Sequence, residues 1–226
     1  MDIVYFVKDG FGNEEFRFSL RSVCENLQFN RIWVFGGCPK DIIPDFRVRV
    51  EQTGKTKWDR VRNMFLMACE NKEITDDFIL FNDDFFVMQP TDKIEPLYRD
   101  TLENHIGILP KGPYANLLKT VKEDLENNGE STYSYELHTP FVFNKKKLHD
   151  LIMNTPELHC TRTLYGNIYN IGGRKHHDVK AFNSSPSFDY KKSTLLSTDD
   201  AIITSINPVW NHIRKSFPNK CKYEQR

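Results

Sequence analysis

The chain has 226 residues, 31 basic and 31 acidic side chains, and 13% aromatic content. That composition supports an ordinary buried core and excludes intrinsic disorder. No apolar run approaches the roughly 20 residues a membrane-spanning helix needs. The opening MDIVYFVKDG carries an acid at its second position and reads as a first strand, not a signal peptide. The five cysteines (Cys24, Cys38, Cys69, Cys160, Cys221) are scattered and form no CxxC pair. Neither a disulfide framework nor a zinc site is expected, and the expected compartment is cytoplasmic. Charge is uneven along the chain. Residues 1–137 hold 17 basic and 24 acidic side chains, whereas residues 138–226 hold 14 and 7 and six of the seven histidines. An acidic part beside a basic, histidine-rich part suits a metal–phosphate site between them, although drift of surface charge would give the same counts.

The pattern predicts a strand over Asp2–Val7, ended by the Asp9-Gly10 turn signal. Asn13 is placed to cap a helix through Glu14–Leu27, with Phe18, Val23 and Leu27 on its buried side. Strands follow over Arg31–Phe35 and Arg47–Val50, then a helix over Lys57–Asn71 with Val61, Phe65 and Ala68 at helical spacing. Asp77–Phe81 is a further strand, and Phe85–Met88 resumes strand after three polar residues. The second part is less regular. It is expected to hold a strand over His105–Leu109, helices over Tyr114–Asn127 and Lys145–Asn154, and a long loop or flap over Gly166–Ser187. Ser197 or Thr198 is placed to cap a helix from Asp199, and Pro208 opens another. Strands alternating with helices imply an α/β fold with a mostly parallel sheet.

The strongest chemical signal is Phe78-Ile79-Leu80-Phe81-Asn82-Asp83-Asp84-Phe85-Phe86. Carboxylates between core strands are costly to bury unless they are paired or bind a cation. At the carboxyl end of a parallel strand they would face the ligand crevice, where hard oxygens suit Mg²⁺ or Mn²⁺ on a diphosphate. The same residues would also serve as a plain turn between hairpin strands.

That strand–Asn-Asp-Asp–strand unit is similar to the DxD-type motif of glycosyltransferase-A enzymes. The wider order resembles the Stealth family of sugar-phosphate transferases. It runs from Asp2-Ile3-Val4-Tyr5 with Asp9-Gly10, through Phe16-Arg17-Phe18-Ser19-Leu20-Arg21-Ser22-Val23, to Phe81-Asn82-Asp83-Asp84-Phe85-Phe86. His138-Thr139-Pro140 before Lys145-Lys146-Lys147-Leu148 and the closing Ser216-Phe217-Pro218 with Tyr223-Glu224 continue the likeness. The first phrases are compressed, and a family phrase upstream of the Asp pair is represented only by Lys57-Trp58-Asp59-Arg60-Val61-Arg62-Asn63.

The resemblance implies one glycosyltransferase-A-like domain over 1–226, with a nucleotide- and metal-binding half (1–110) and an acceptor- and phosphate-contacting half (111–226). It implies transfer of a sugar from a nucleotide-diphosphate-sugar, expected to be a UDP-sugar, with Mn²⁺ or Mg²⁺ as cofactor. The acceptor is expected to be a glycan or a modified base in DNA, and transfer of a sugar-1-phosphate is the alternative. Asp84 is assigned to the ion with Asp83 in the same site, and Asn82 to the ribose. Asp9, Arg17, Arg21, Arg62, Arg174 and Lys180 complete the donor-binding set, the last two from a flap closing over phosphates. His138 is the expected base or phosphate contact, with Asp83, Asp199 and Asp200 as further catalytic candidates. Asp199 and Asp200 read equally as helix-capping acids. Arg162 is a weaker candidate.

Overall fold

The computed structural model describes residues 1–8, 12–51, 56–155, 157–204 and 206–225. The elements run β1 (Asp2–Val7), α1 (Glu14–Asn26), β2 (Ile32–Gly36), β3 (Phe46–Val48), α2 (Lys57–Glu70), β4 (Asp77–Asn82) and β5 (Phe85–Val87). They continue with β6 (Leu97–Tyr98), α3 (Leu102–Ile108), α4 (Pro113–Asn127), β7 (Phe141–Asn144), α5 (Lys145–Asn154) and α6 (Thr161–Ile168). The last are β8 (Arg174–Lys175), β9 (Lys180–Ala181), β10 (Leu195–Thr198) and α7 (Pro208–Ser216).

The main sheet has the order β3-β2-β1-β4-β7. Its first four strands are parallel, and β7 closes the edge antiparallel to β4. Every residue of β1 is buried, because the strand is covered on both faces. The period of two divides it cleanly. Val4 and Phe6 pack with Phe78 and Leu80 of β4 into the core under α2, α4, α5 and α6. Ile3, Tyr5 and Val7 pack with Ile79 and Phe81 under α1, against Phe16, Leu20 and Val23. Each such side chain contributes roughly 1.5–3 kcal/mol by leaving water. A smaller sheet, β5-β10-β9, packs with α7 around Phe86, Leu196 and Trp210.

Two buried carboxylates tie distant parts of the chain to this frame. Asp2, at the start of β1, accepts from Arg31 at 2.9 Å, from the indole of Trp33 at 3.0 Å and from the backbone of Thr75 at 3.2 Å. Glu224, near the C-terminus, accepts from Arg21 through Nε at 2.6 Å and Nη2 at 2.7 Å, and from Arg17 at 2.9 Å. Tyr223 beside it donates to Asp45 at 2.7 Å.

The mixed α/β architecture, mostly parallel and flanked by helices, is the one the sequence implies. Three local expectations differ. Residues 105–108 are not a strand but lie in α3, and Leu109 is its C-cap. Thr101 caps that helix by accepting from Asn104, and Leu102 and His105, a helical step apart, form its buried side. The stretch 166–187 is only partly loop, since it opens inside α6 and carries β8 and β9. No α-helix starts at Asp199. Residues 200–202 make one 3-10 turn, with Asp199 itself as the cap. The Asp9-Gly10 turn lies outside the described residues. Among those residues no helix is long and apolar enough to cross a membrane.

Burial would raise the Glu224 carboxyl, but the hydrogen bonds from Arg21 and Arg17 outweigh it and bring it down to about 2. A lowered carboxyl stabilises the fold above its unfolded value near 4.5 and loses that contribution as pH falls toward 2. Glu224→Gln is therefore expected to cost about 3 kcal/mol at pH 7. The cost should shrink steadily below pH ~4.5 as the wild type loses the same contribution. Urea denaturation from pH 7 to pH 3 measures both. A constant difference across that range would contradict the clamp.

Candidate active site

The strand order sets the location. From β1 the chain passes through α1 to β2 on one side, whereas β4 lies on the other side. The carboxyl ends of β1 and β4 thus flank a topological switch point, the usual ligand crevice of an open α/β sheet. Phe6 is in register with Asn82. The next two residues, Asp83 and Asp84, leave the sheet there and turn into β5.

Each carboxylate is held from a different element. Asp83 accepts from Asn13 Nδ2 at 2.6 Å, while the other end of that amide caps α1 by accepting from Phe16 N at 2.9 Å. Asp84 accepts from Ser197 Oγ of β10 at 2.8 Å and from Lys180 Nζ of β9 at 3.3 Å. A third acid joins them. Glu15, in the first turn of α1, is 6% exposed and accepts from Thr198 Oγ1 at 2.5 Å. Burial is the main cause that pushes Glu15 up to about 8, and the charges of Asp84, Asp83 and Asp200 add to it. Burial also raises Asp83, with Asp84 and Asp200 adding. The carboxyl end of β4 is therefore a place where negative charge is crowded and poorly solvated.

Beside it lies a cavity of about 1170 Å³. Residues 1–137 supply Lys8, Arg60, Asn82, Asp83, Arg99 and Glu136 to its wall, and residues 138–226 supply His138, Arg162, Asp178 and Lys180. Both parts bring cationic side chains and acids to this wall, so the charge imbalance along the sequence does not reappear as one acidic and one basic side of the cavity. Arg162 donates to the carbonyl of Leu137, and its guanidinium lies 5.4 Å from the centre of the Phe85 ring and 5.9 Å from that of Phe141. Burial pulls it below its ordinary value, opposed by Glu136, Asp84 and Asp178, and a guanidinium remains charged throughout. His138 Nδ1 lies 2.9 Å from Asp178, which also pairs with Arg99. Burial alone would raise Asp178, yet His138 and Arg99 hold it well below the usual carboxylate range.

Of the residues singled out from the sequence, Asn82, Asp83, His138 and Lys180 line this cavity, and Asp84 adjoins it through Lys180. Asp200 is exposed and near enough for its charge to act on Glu15 and Asp83. Asp199 caps its turn by accepting from Ala201 N at 3.1 Å. Arg17 and Arg21 do not line the cavity and are engaged by Glu224. Arg62 joins α2 to α5 by donating to the carbonyl of Ile152 at 3.0 Å. Arg174 pairs with Glu95 at 3.5 Å on an exposed edge. Asp9 lies outside the described residues.

Glu15, Arg99 and Asp178 enter the site without having been singled out. Glu15 looks like an ordinary helix-start acid, and Asp178 is one acid inside a basic run. Among the described residues, no group of three or more His, Cys, Asp or Glu side chains is arranged to hold a metal ion.

No family model and no curated protein matches the chain. Among solved structures, the apo form of the glycosyltransferase GlyE from Streptococcus pneumoniae TIGR4 is similar at 12% identity and a TM-score of 0.31. That match covers 77% of this chain and 44% of the other. A second crystal structure of GlyE gives 11% identity and a TM-score of 0.29, over 76% and 44%. The chain spans less than half the length of these proteins, and at such scores the likeness carries no argument.

The crowded acids predict an unusual pH response. Between its unfolded value of 4.5 and its folded value of about 8, Glu15 ionises in the unfolded chain but stays protonated in the fold. Stability is thereby lost as pH rises, by about 1.4 kcal/mol per pH unit. Glu15→Gln keeps an acceptor for Thr198 and removes the titration. The variant should be more stable than the wild type by roughly 4 kcal/mol at pH 7.5 and nearly equal to it at pH 4.5. Chemical denaturation at the two pH values is the measurement, and parallel profiles would rule the assignment out.

Proposed function

We propose that this protein is a transferase that takes a sugar from a nucleotide-diphosphate-sugar, in keeping with a UDP-sugar donor, and passes it to an acceptor hydroxyl. The observation that carries the reading is the position of Asn82-Asp83-Asp84 at the β1/β4 switch point, beside a cavity large enough for such a donor.

The residues present fit a divalent cation. A Mg²⁺ or Mn²⁺ ion shared with a diphosphate takes one or two protein carboxylates, the remaining positions going to phosphate oxygens and water. Asp83 and Asp84 offer those hard oxygens, and the raised carboxyls of Asp83 and Glu15 mark an excess of negative charge that a cation would relieve. When bound, the ion would offset the charge developing on the leaving diphosphate.

The remaining roles belong to side chains of the cavity wall. Asn82 has both a donor and an acceptor for a ribose hydroxyl. Lys180 and Arg162 supply positive charge to phosphate oxygens, and Arg162 is the better matched to a two-oxygen face. His138 takes the proton from the attacking hydroxyl. Water is displaced from these groups when donor fills the cavity, which strengthens each interaction.

A second reading, transfer of a sugar-1-phosphate, is favoured by the number of cationic side chains (Lys8, Arg99, Arg162, Lys180) on one cavity. Arg99 Nε is also buried without a hydrogen-bond partner among the described residues. The two readings differ by one phosphate in product mass.

A thermal-shift panel of UDP-sugars with and without Mn²⁺ tests the donor site. At a hundredfold excess over Kd, binding should add about 2.7 kcal/mol, or roughly 5–10 °C in Tm. Asp83→Asn and Asp84→Asn should each remove the Mn²⁺-dependent part while remaining folded. Shifts that ignore Mn²⁺ and survive both substitutions would exclude the proposed ion site. His138→Ala should lower turnover ~10²–10⁴-fold with little change in the donor KM. Near-normal turnover in the folded variant would remove His138 from the chemistry.

A further inference from the structure

We infer that Asp178 is a positioning residue that fixes His138 with its proton on Nδ1 and leaves Nε2 as the free proton acceptor. The inference rests on the transferase reading only in giving that acceptor a task.

Asp178 grips His138 twice. One carboxylate oxygen accepts from the backbone N–H of His138 at 3.1 Å, and the other lies 2.9 Å from the ring Nδ1. The carboxylate is itself anchored by Arg99 and its side chain is 14% exposed, so it does not swing freely with solvent. Asp178 is ionised, and an ionised carboxylate can only accept hydrogen bonds. The ring nitrogen facing it must therefore carry the hydrogen, and in the neutral imidazole the opposite nitrogen then has the lone pair. The ring plane is also constrained, since Phe182 meets the imidazole edge to face at 6.1 Å and 88°.

These contacts come from one short piece of chain. Within residues 178–182, Asp178 holds His138, Lys180 reaches Asp84 at 3.3 Å, and Phe182 packs on the His138 ring. β9 lies in the middle of that piece and is pinned beside β10, with Lys180 opposite Ser197. Ser197 also donates to Asp84. The segment thus sets the proton acceptor and one carboxylate of the Asp pair from a single backbone position. A carboxylate that served only to neutralise Arg99 would have no reason to take the backbone N–H and the ring nitrogen of one histidine together.

The tautomer can be read directly, without any substrate. Protein labelled with ¹⁵N-histidine is examined by two-bond ¹H–¹⁵N correlation at alkaline pH, where the imidazoles are neutral, and His138 is assigned by its loss in His138→Gln. In the wild type, His138 should show a protonated Nδ1 and a bare Nε2. A protonated Nε2 would overturn the inference on the wild-type spectrum alone, whether or not any variant folds. In Asp178→Ala the two tautomers should mix, and Asp178→Glu, which keeps a carboxylate, should restore the single form at least in part. An unchanged pattern in a folded Asp178→Ala would equally overturn it. UDP binding to the wild type in the presence of Mn²⁺ is measured separately. Failure of UDP to bind the wild type would count against the donor site and leave the tautomer result standing, so the two failures are distinct.

Discussion

The register between β1 and β4 is the constraint on which the candidate site depends. Both strands are buried on both faces, so a slip of one residue would exchange the two cores they separate. Because they are parallel and neighbours, their carboxyl ends finish together, Phe6 opposite Asn82. Asp83 and Asp84 are then the first residues free of the sheet. Their burial is not chosen by the site but imposed by the apolar strands on either side, β4 before them and β5 after them. What the rest of the chain can do is choose their partners. Asn13 takes Asp83, while Lys180 and Ser197 take Asp84.

Much of this was legible in the sequence, and the physical reason is locality. β1, β4, α1 and α2 announce themselves by period and by caps within a few residues of each end. Asn13 caps as expected of its position, and the structure adds Thr56, which caps α2 in a reciprocal pair with Asp59. The second part of the chain was harder because its elements are short and their pairing is remote. β9 and β8 have two residues each, too few for any periodicity, and β10 finds its partner β5 more than a hundred residues away. His105–Leu109 misled because five residues of mixed polarity suit a strand as well as a helix. The deciding feature was the Thr101 cap just upstream.

The site itself was legible in its charges but not in its couplings. Asp83, Asn82, His138 and Lys180 stand out by type and setting, and they reach one cavity. Glu15 does not stand out, because an acid in the first turn of a helix is ordinary. Only the fold shows that this turn abuts the carboxyl end of β4, where Thr198 and two aspartates surround it. The N-terminal end of α1 then has two opposing effects. Its partial positive charge favours the nearby acids, while the burial that brings them there disfavours ionisation. For Glu15 burial is the larger effect, since its carboxyl ends far above the ordinary value.

The arginines of α1 show the opposite case, in which residue type suggests a ligand and the fold supplies a partner from within the chain. Arg17 and Arg21 lie one turn apart, and a diphosphate would suit their two forks. The chain's own Glu224 takes that position, with a fully buried side chain receiving bonds from both, and Asp41 adds a further contact to Arg17. A phosphate could displace Glu224 only by leaving its carboxylate without these partners, at a cost of the same order as breaking any buried ion pair. The α1 helix therefore divides its labour along its length. Its first turn, with Asn13 and Glu15, meets the carboxylate end of the cavity, while the arginines of the following turns fasten the C-terminal segment. On the proposed reading, positive charge for a phosphate is left to side chains without so complete a partner, and the cavity wall has them in Lys8, Arg162 and Lys180. Of these, Lys180 faces a single carboxylate at 3.3 Å, longer than either bond between Arg21 and Glu224. On the same proposed reading, that looser pair is the one that would open on binding, Asp84 being freed to hold a cation and Lys180 to meet a phosphate.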